Sequence, residues 1–456
     1  MRFDAIVLGG GPPGEHCAAR LAEGGRRVAI VERELLGGEC SYWACIPSKT
    51  LLRPGEALHA ARDVPGARER IADGPAEAAA ALSWRDFMVS GHDDAGQEAW
   101  AQDAGITVLR GSGRLDGHGR VAVGDTVYEA DDIVLATGSD PFLPPVPGLG
   151  ELEGLWTNRE ATAMREVPRR LLILGGGPVG VELAQAVRRL GGEAVIVEGA
   201  DHLLPREPEM LGRAVGEAVV ADGVELMLGQ HAARAARDGD DYVLTFPDGS
   251  ALRGDRLLLA TGRRPRVSGI GLESVGVDAD PHGIAVDDRL HAGDGLWAVG
   301  DVTGIWPLTY VGKYQGRIAA ANILGHDRRA DYSAVPRVVF TDPQAAAVGQ
   351  ATGPLMATVS LADVARTATY TRAYDVRPGF LTLVSDGEKL TGAHAVGPEA
   401  GEWLQQATVA IRARLPLDLL EDVIQPFPTF SEVFLHGLQA LGARRGQAAA
   451  REVVAS

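Results

Sequence analysis

Runs of consecutive apolar residues, each closed by a glycine-rich turn and followed by an amphipathic stretch, organise the first two thirds of the chain. Residues 4–8 read as a buried strand, and Gly9-Gly10-Gly11-Pro12-Pro13-Gly14 opens a helix that runs to about Gly24. The next apolar run, residues 28–31, is a strand ending at Glu32. The order then returns: a strand at residues 171–174, the turn Gly175-Gly176-Gly177-Pro178-Val179-Gly180, and a strand at 194–197 ending at Glu198. The spans from Gly9 to Glu32 and from Gly175 to Glu198 have equal length, and Val134-Leu135-Ala136-Thr137-Gly138 is echoed by Leu258-Leu259-Ala260-Thr261-Gly262. One such glycine pattern is a weak signal. Two, each between matching strands and each ending in an acid, outweigh the alternative of chance glycine-rich turns. Backbone N–H groups at each helix start favour a pyrophosphate, the glycines permit its close approach, and the terminal carboxylate accepts from a ribose. The chain is therefore expected to bind two dinucleotides.

Between these units, residues 54–102 read as two Ala-rich helices joined around Asp73-Gly74-Pro75, and residues 106–127 as short strands with glycine turns. Residues 141–150 form a Pro/Gly-rich linker, and Trp297-Ala298-Val299-Gly300-Asp301 reads as a further buried strand ending in an acidic turn. From about Val335 the pattern changes to strand-rich segments at 337–340 and 380–384, then to helices from Glu402, with a frayed helical tail over 442–456. The fold expected is α/β, with two Rossmann-like dinucleotide-binding domains followed by an α+β domain.

At 456 residues the chain exceeds one hydrophobic core, and its 45% hydrophobic and 23% charged residues are those of a globular protein. A formal net charge of -17 argues against nucleic acid or an anionic membrane as partner. No apolar run approaches a membrane span, and Met1-Arg2-Phe3 passes straight into a strand, so a cytoplasmic protein is expected. The three cysteines cannot frame a chain of this size, and Cys17, on the first helix, reads as packing. Lysine occurs only at 49, 313 and 389 in an arginine-rich chain, which suggests that a compact ammonium is needed at Lys49.

The other two cysteines lie in Gly37-Gly38-Glu39-Cys40-Ser41-Tyr42-Trp43-Ala44-Cys45-Ile46-Pro47-Ser48-Lys49. In a regular helix residues five apart are separated by about 7.5 Å along the axis, beyond ordinary disulfide reach. The backbone must bend if the two are to meet, and the leading glycines and Pro47 make a turn into a distorted helix plausible. Spacing alone leaves two ordinary buried thiols as the alternative. A close pair in a reducing compartment reads as redox chemistry.

Together these motifs resemble the pyridine-nucleotide disulfide oxidoreductase family, which includes dihydrolipoamide dehydrogenase, glutathione reductase and mercuric reductase. The resemblance runs through both fingerprints, the Cys40 to Lys49 segment, Ala136-Thr137-Gly138-Ser139, Glu182, Gly300-Asp301 and Pro336-Arg337-Val338-Val339-Phe340-Thr341-Asp342-Pro343. It implies an FAD-binding domain over 1–147 with a return segment at 270–334, an NAD(P)H-binding domain over 148–269, and a dimerisation domain over 335–456 that makes a homodimer. Cys40 would meet the substrate, Cys45 would lie beside the flavin, Lys49 and Glu182 would pair near it, and Asp301 would hold the ribityl region. Cofactor contacts are expected at Gly9, Gly11, Gly14, Glu32, Arg33, Lys49, Gly113, Thr137, Gly138, Ser139 and Asp301. Others are expected at Gly175, Gly177, Gly180, Glu198 and Gly262. Glu198 would repel a 2′-phosphate, so NADH is expected over NADPH, although a loop returning Arg206 would reverse that preference.

One departure limits the resemblance. Where the family has His-Pro-Thr-x-Ser-Glu, this chain has Phe427-Pro428-Thr429-Phe430-Ser431-Glu432, so the proton-carrying histidine is replaced by Phe427 beside a retained Glu432. A positioned base is worth roughly 10²–10⁴ in rate. His436, four residues beyond Glu432, reads more readily as a helix contact than as a displaced base. The mercuric reductase alternative needs a C-terminal cysteine pair, and no cysteine follows Cys45. The expected activity is electron transfer from NADH through FAD to the cysteine pair and an atypical small-molecule acceptor, with Tyr42, Trp43, Phe427 and Phe430 as an aromatic surround or as plain packing. Two alternatives remain. One is thiol-assisted C–C or C–S cleavage, as in ketopropyl-coenzyme M oxidoreductase/carboxylase; the other is a redox-responsive binding protein that retains its cofactors.

Overall fold

The computed structural model describes residues 1–278, 280–364 and 379–455, with residues 448–455 as backbone only. The amino-terminal run folds as β1 (Arg2–Leu8), α1 (Pro12–Glu23), β2 (Val28–Glu32), α2 (Gly38–Tyr42) and α3 (Cys45–Asp63). β1 lies between β2 and the strand Thr126–Leu135, parallel to both, and Leu296–Ala298 adds in parallel beyond Thr126–Leu135. The sheet places β1 centrally because its residues are apolar on both faces. Ala5 and Val7 pack with Cys17 and Leu21 of α1 on one side, while Ile6 and Leu8 pack with Leu115 and Ile133 on the other. The strand order reverses across β1, so the carboxyl ends of its neighbours open a crevice.

The second unit repeats this plan. Arg170–Leu174 lies between Glu193–Glu198 and Arg256–Leu259, all parallel, with Glu225–Leu228 at the edge. Beside it stands an antiparallel sheet of Arg234–Asp238, Asp241–Thr245 and Ala251–Gly254, which the apolar pattern did not announce. Those strands are short and partly exposed, with only alternate residues such as Ala235, Tyr242 and Leu244 buried. The carboxy-terminal unit is an antiparallel five-stranded sheet covered by helices, its core built on Leu381, Leu383, Ala407, Phe430 and Val433.

Three local expectations change. The helical region between the units contains α3, Ala78–Met88 and Ala95–Asp103, and α3 starts at Cys45 and continues through Pro54. The strand expected to reach Asp301 stops at Ala298, and Gly300–Thr303 form a tight helical turn that begins with Gly300 at φ 80. The tail is a continuous helix, Val433–Ala455, while Ser456 lies outside the described residues.

Candidate active site

Both glycine turns have the same construction. Gly9 and Gly175 adopt φ 110 and 106, a region that strains residues carrying a Cβ, and a Cβ there would strike the carbonyls of Ala136 and Ala260. Gly14 and Gly180 lie behind the turns, where a Cβ would strike the carbonyls of Gly9 and Gly175. Gly14 and Gly180 thus support the turns and do not line the cavity. The middle glycines differ: a Cβ on Gly177 would meet nothing within 4 Å, and one on Gly11 would touch only Pro13 Cδ at 3.9 Å and Gly38 Cα at 4.0 Å. Each opens onto the cavity as an uncovered cradle at a helix start. Glu32 accepts from the backbone N–H of Gly10 at 2.8 Å, and Glu198 accepts from that of Gly176 at 2.6 Å, so both carboxylates are held at the ends of their strands with lone pairs to spare.

One cavity of about 2050 Å³ joins these features. Gly9, Gly11, Glu32, Arg33, Gly113, Thr137, Gly138, Ser139 and Asp301 line it, as do Gly175, Gly177, Glu198 and Gly262. Cys40, Cys45, Lys49 and Glu182 line the same space. The volume, the two cradles and the two acids suit FAD and a nicotinamide dinucleotide together. Arg206 lines the cavity as well, together with His231, whose ring packs over Gly199 directly after Glu198.

The cysteines meet through a break in the helix. Trp43 and Ala44 interrupt α2 and α3, with Ala44 at φ -135 and ψ -97, which places Cys45 at the first position of α3. Both are free thiols, and the Thr309 hydroxyl lies 3.4 Å from Cys45 Sγ. The Cys45 thiol is drawn down by a hydrogen bond from Cys40, against burial, with help from Thr309 and the charge of Lys49. Its place at a helix start acts in the same direction. Cys40 is pushed up by the same hydrogen bond and by burial. The pair is thus polarised, with the negative charge on Cys45. Cys17 is fully buried, and desolvation pushes its thiol up to about 12, in keeping with a packing role.

Lys49 Nζ stands 2.7 Å from Glu182 Oε2 and 4.6 Å from the Phe340 ring centroid. Glu182 also accepts from the Phe340 backbone N–H at 3.0 Å, tying α3, the helix Pro178–Arg189 and the carboxy-terminal unit together. Around Asp301 is a network that spacing did not reveal. Ser139 Oγ donates to Asp301 at 2.6 Å, and Arg263 donates to Ser139, to Asn158 at 2.8 Å and to Glu39 at 2.6 Å. Arg159 reaches Glu39 at 3.0 Å and lies 4.1 Å from the Trp43 ring centroid. Glu39 falls inside the cysteine motif, but nothing in the sequence points from it to Arg263 or Arg159.

Phe427 and Glu432 do not line the cavity within one chain. Phe427 is 69% exposed, and Glu432 Oε2 is buried without a hydrogen-bond partner among the described residues. Of the aromatic surround, only Trp43 lines the cavity, whereas Tyr42 and Phe430 are buried as packing.

Residues 3–316 match the pyridine nucleotide-disulphide oxidoreductase family, and residues 335–437 match the dimerisation domain of that family. The chain is 34% identical over 450 residues to a mercuric reductase of Shigella flexneri, covering 93% of this chain and 78% of that protein. It is 32% identical over 446 residues to a dihydrolipoyl dehydrogenase of Chlamydia muridarum, covering 95% of each. Among solved structures, the HOCl-induced flavoprotein disulfide reductase RclA of Escherichia coli superposes with a TM-score of 0.83 at 26% identity, covering 96% of this chain and 99% of that one. LpdA of Mycobacterium tuberculosis superposes with a TM-score of 0.84 at 26% identity, again covering 96% and 99%. Fold, cysteine motif and relatives agree that this chain belongs to the pyridine nucleotide-disulphide oxidoreductases, FAD-dependent enzymes that use NAD(P)H and carry a dimerisation domain.

Proposed function

We propose that this oxidoreductase takes electrons from NADH and delivers them through the Cys40–Cys45 pair to a small-molecule acceptor in a cytoplasmic homodimer. The observation that carries this reading is the polarised thiol pair at the break before α3, with Cys45 drawn down and Lys49 paired to Glu182 beside it. FAD, held by the first fingerprint, Ser139 and Asp301, supplies two-electron hydride chemistry when bound. The chain's own residues do the rest. Gly175, Gly177 and Glu198 hold the reductant, Glu182 fixes the Lys49 ammonium, and that ammonium with Thr309 keeps Cys45 ionised. Cys40 then acts as the outward nucleophile, and Cys45 resolves the mixed disulfide. Glu198 supports NADH over NADPH by charge, while Arg206 and His231 on the same cavity wall temper that preference.

The acceptor is read as atypical because Phe427 leaves Glu432 without a histidine to orient. Phe427→His should raise turnover of lipoamide or glutathione disulfide at least tenfold, equivalent to about 1.4 kcal/mol, with the rate of flavin reduction by NADH unchanged. The assay is steady-state turnover with a panel of disulfides and quinones beside stopped-flow reduction. Ordinary enzyme rates with either disulfide in the native protein, and no gain in the variant, would make Phe427 a neutral packing substitution.

A further inference from the structure

Pro47 leaves one backbone acceptor unclaimed inside the cysteine segment. In a continuous helix the carbonyl of residue 43 would accept from the N–H of residue 47, and proline has none. The Trp43 carbonyl, between Cys40 and Cys45, is met instead by a short helix far along the chain, Asn158–Thr162. Asn158 Nδ2 donates to it at 2.9 Å, and the Thr162 hydroxyl lies 3.1 Å from it, sharing its one proton with the Asn158 carbonyl at 2.8 Å. Both side chains are buried. Arg263 donates to Asn158 Oδ1 at 2.8 Å, and because a guanidinium only donates, this bond fixes which way the amide faces and commits Nδ2 to Trp43. Buried Arg85 holds the end of the short helix through the carbonyls of Thr162 and Met164. At its other end Trp156 exchanges backbone hydrogen bonds of 2.8 Å with Leu257 and Leu259, so the helix is fastened to the second dinucleotide unit.

We propose that Asn158, seconded by Thr162, is a positioning residue for the thiol pair, acting through the Trp43 carbonyl to keep the chain broken where Cys40 and Cys45 must meet. This rests on the reading of those cysteines as the redox pair. With the carbonyl held by its two donors, Ala44 stays outside helical geometry, at φ -135 and ψ -97, and α3 starts afresh at Cys45. Without the donors the carbonyl is free to swing to other partners. Residues 43 and 44 then gain conformations in which sulfurs five residues apart lie beyond bonding reach. Two thiols tolerate that freedom, and a disulfide does not. Loss of the donors therefore acts against the oxidised pair more than against the reduced one. The thiols belong to the first dinucleotide unit, whereas the side chains that set their geometry come from the unit expected to bind the reductant.

The test reads the pair at equilibrium, without any acceptor. Holoenzyme is poised without oxygen, at constant pH, in mixtures of reduced and oxidised dithiothreitol and then quenched with an alkylating mass tag. Cys40 and Cys45 lose two electrons and two protons as their disulfide forms, and the ring disulfide of oxidised dithiothreitol takes up both as it opens to the dithiol. Peptide mapping separates the pair from Cys17. Asn158→Ala should lower the equilibrium constant for disulfide formation about tenfold, which raises the midpoint potential by about 30 mV for a two-electron couple. Thr162→Val, which keeps the shape and drops the hydroxyl, should lower it about threefold, and Thr162→Ser should restore the native value. FAD content and unfolding midpoint show whether each variant is folded, and if Asn158→Ala does not fold, the two Thr162 variants decide. An unmoved midpoint in folded Asn158→Ala overturns the proposal. Equal loss in Thr162→Val and Thr162→Ser overturns it too, because the methyl and not the hydroxyl would then carry the effect. Absence of a disulfide at every ratio in the native protein would refute the redox-pair reading and this proposal with it, whereas a native disulfide that neither variant weakens refutes this proposal alone.

Discussion

The two glycine turns share one backbone and differ in what surrounds it. At both, a left-handed glycine meets a carbonyl from the strand alongside, and a glutamate at the end of the next strand accepts from the second glycine. Their helices have different neighbours. α1 packs on Thr309–Ile323, where a Cβ on Gly316 would crowd the Pro13 carbonyl and the Cys17 backbone nitrogen, and the same helix carries Thr309, whose hydroxyl lies 3.4 Å from Cys45 Sγ. The helix Pro178–Arg189 instead faces the carboxy-terminal unit, with Glu182 accepting from Phe340, Gln185 Oε1 accepting from Asp342 N–H at 2.8 Å and Arg189 paired with Asp342 at 2.7 Å. A fingerprint therefore specifies that a dinucleotide binds. The packing of its helix decides what chemistry lies beside that dinucleotide.

The largest expected effects come from filling the rear glycines. Gly14→Ala puts a Cβ against the Gly9 carbonyl and should give protein lacking FAD, read as loss of the flavin absorbance per chain. Gly180→Ala puts one against the Gly175 carbonyl and should keep FAD while lowering NADH turnover by two orders of magnitude or more. Equal loss of FAD in both would erase the distinction between the two sites.

Next in size is the charge cluster that ties the second helix down. His59 Nδ1 lies 2.6 Å from Asp342 Oδ2, which also takes the Arg189 bond. Burial raises the Asp342 carboxyl, but the His59 hydrogen bond and the charges of Arg189 and His59 outweigh it and hold it down at about 2. Breaking such a buried pair costs about 3 kcal/mol, so Asp342→Asn should lower the midpoint of thermal unfolding at pH 7 and weaken NADH turnover before FAD is lost. Because the folded pKa is depressed, the stabilisation is full above the ordinary carboxylate range and fades as pH falls towards 2. The gap between variant and native protein should therefore close in acid.

The smallest effect concerns cofactor choice. Glu198→Ala removes the acceptor for Gly176 and Ala200 and should raise KM for NADH about tenfold, while narrowing the preference over NADPH. If NADPH is already the better reductant of the native protein, Arg206 and His231 outweigh Glu198.

Much of the first two units was legible because their signals are local. A left-handed turn needs glycine, a strand covered on both faces needs an unbroken apolar run, and both constraints act over a few neighbouring residues. The bend between Cys40 and Cys45 was legible for the same reason. The Arg234–Gly254 sheet was not, since half of each strand faces solvent and its pattern is weak over such short runs.

The sequence by itself determined two dinucleotide turns, their acids, a cysteine pair that must bend to meet, and an interface segment in which phenylalanine replaces the expected histidine. Tertiary structure alone decided that Leu296–Ala298 returns to the first sheet, that Arg263 bridges Ser139 and Glu39, and that Lys313 shares a cavity with Cys40. It also decided that Phe427 stays outside that cavity in a single chain. Such contacts join residues far apart along the chain, and no local periodicity encodes them. They follow from helices and strands packing their apolar faces, which then carry the polar groups on their other faces to one place.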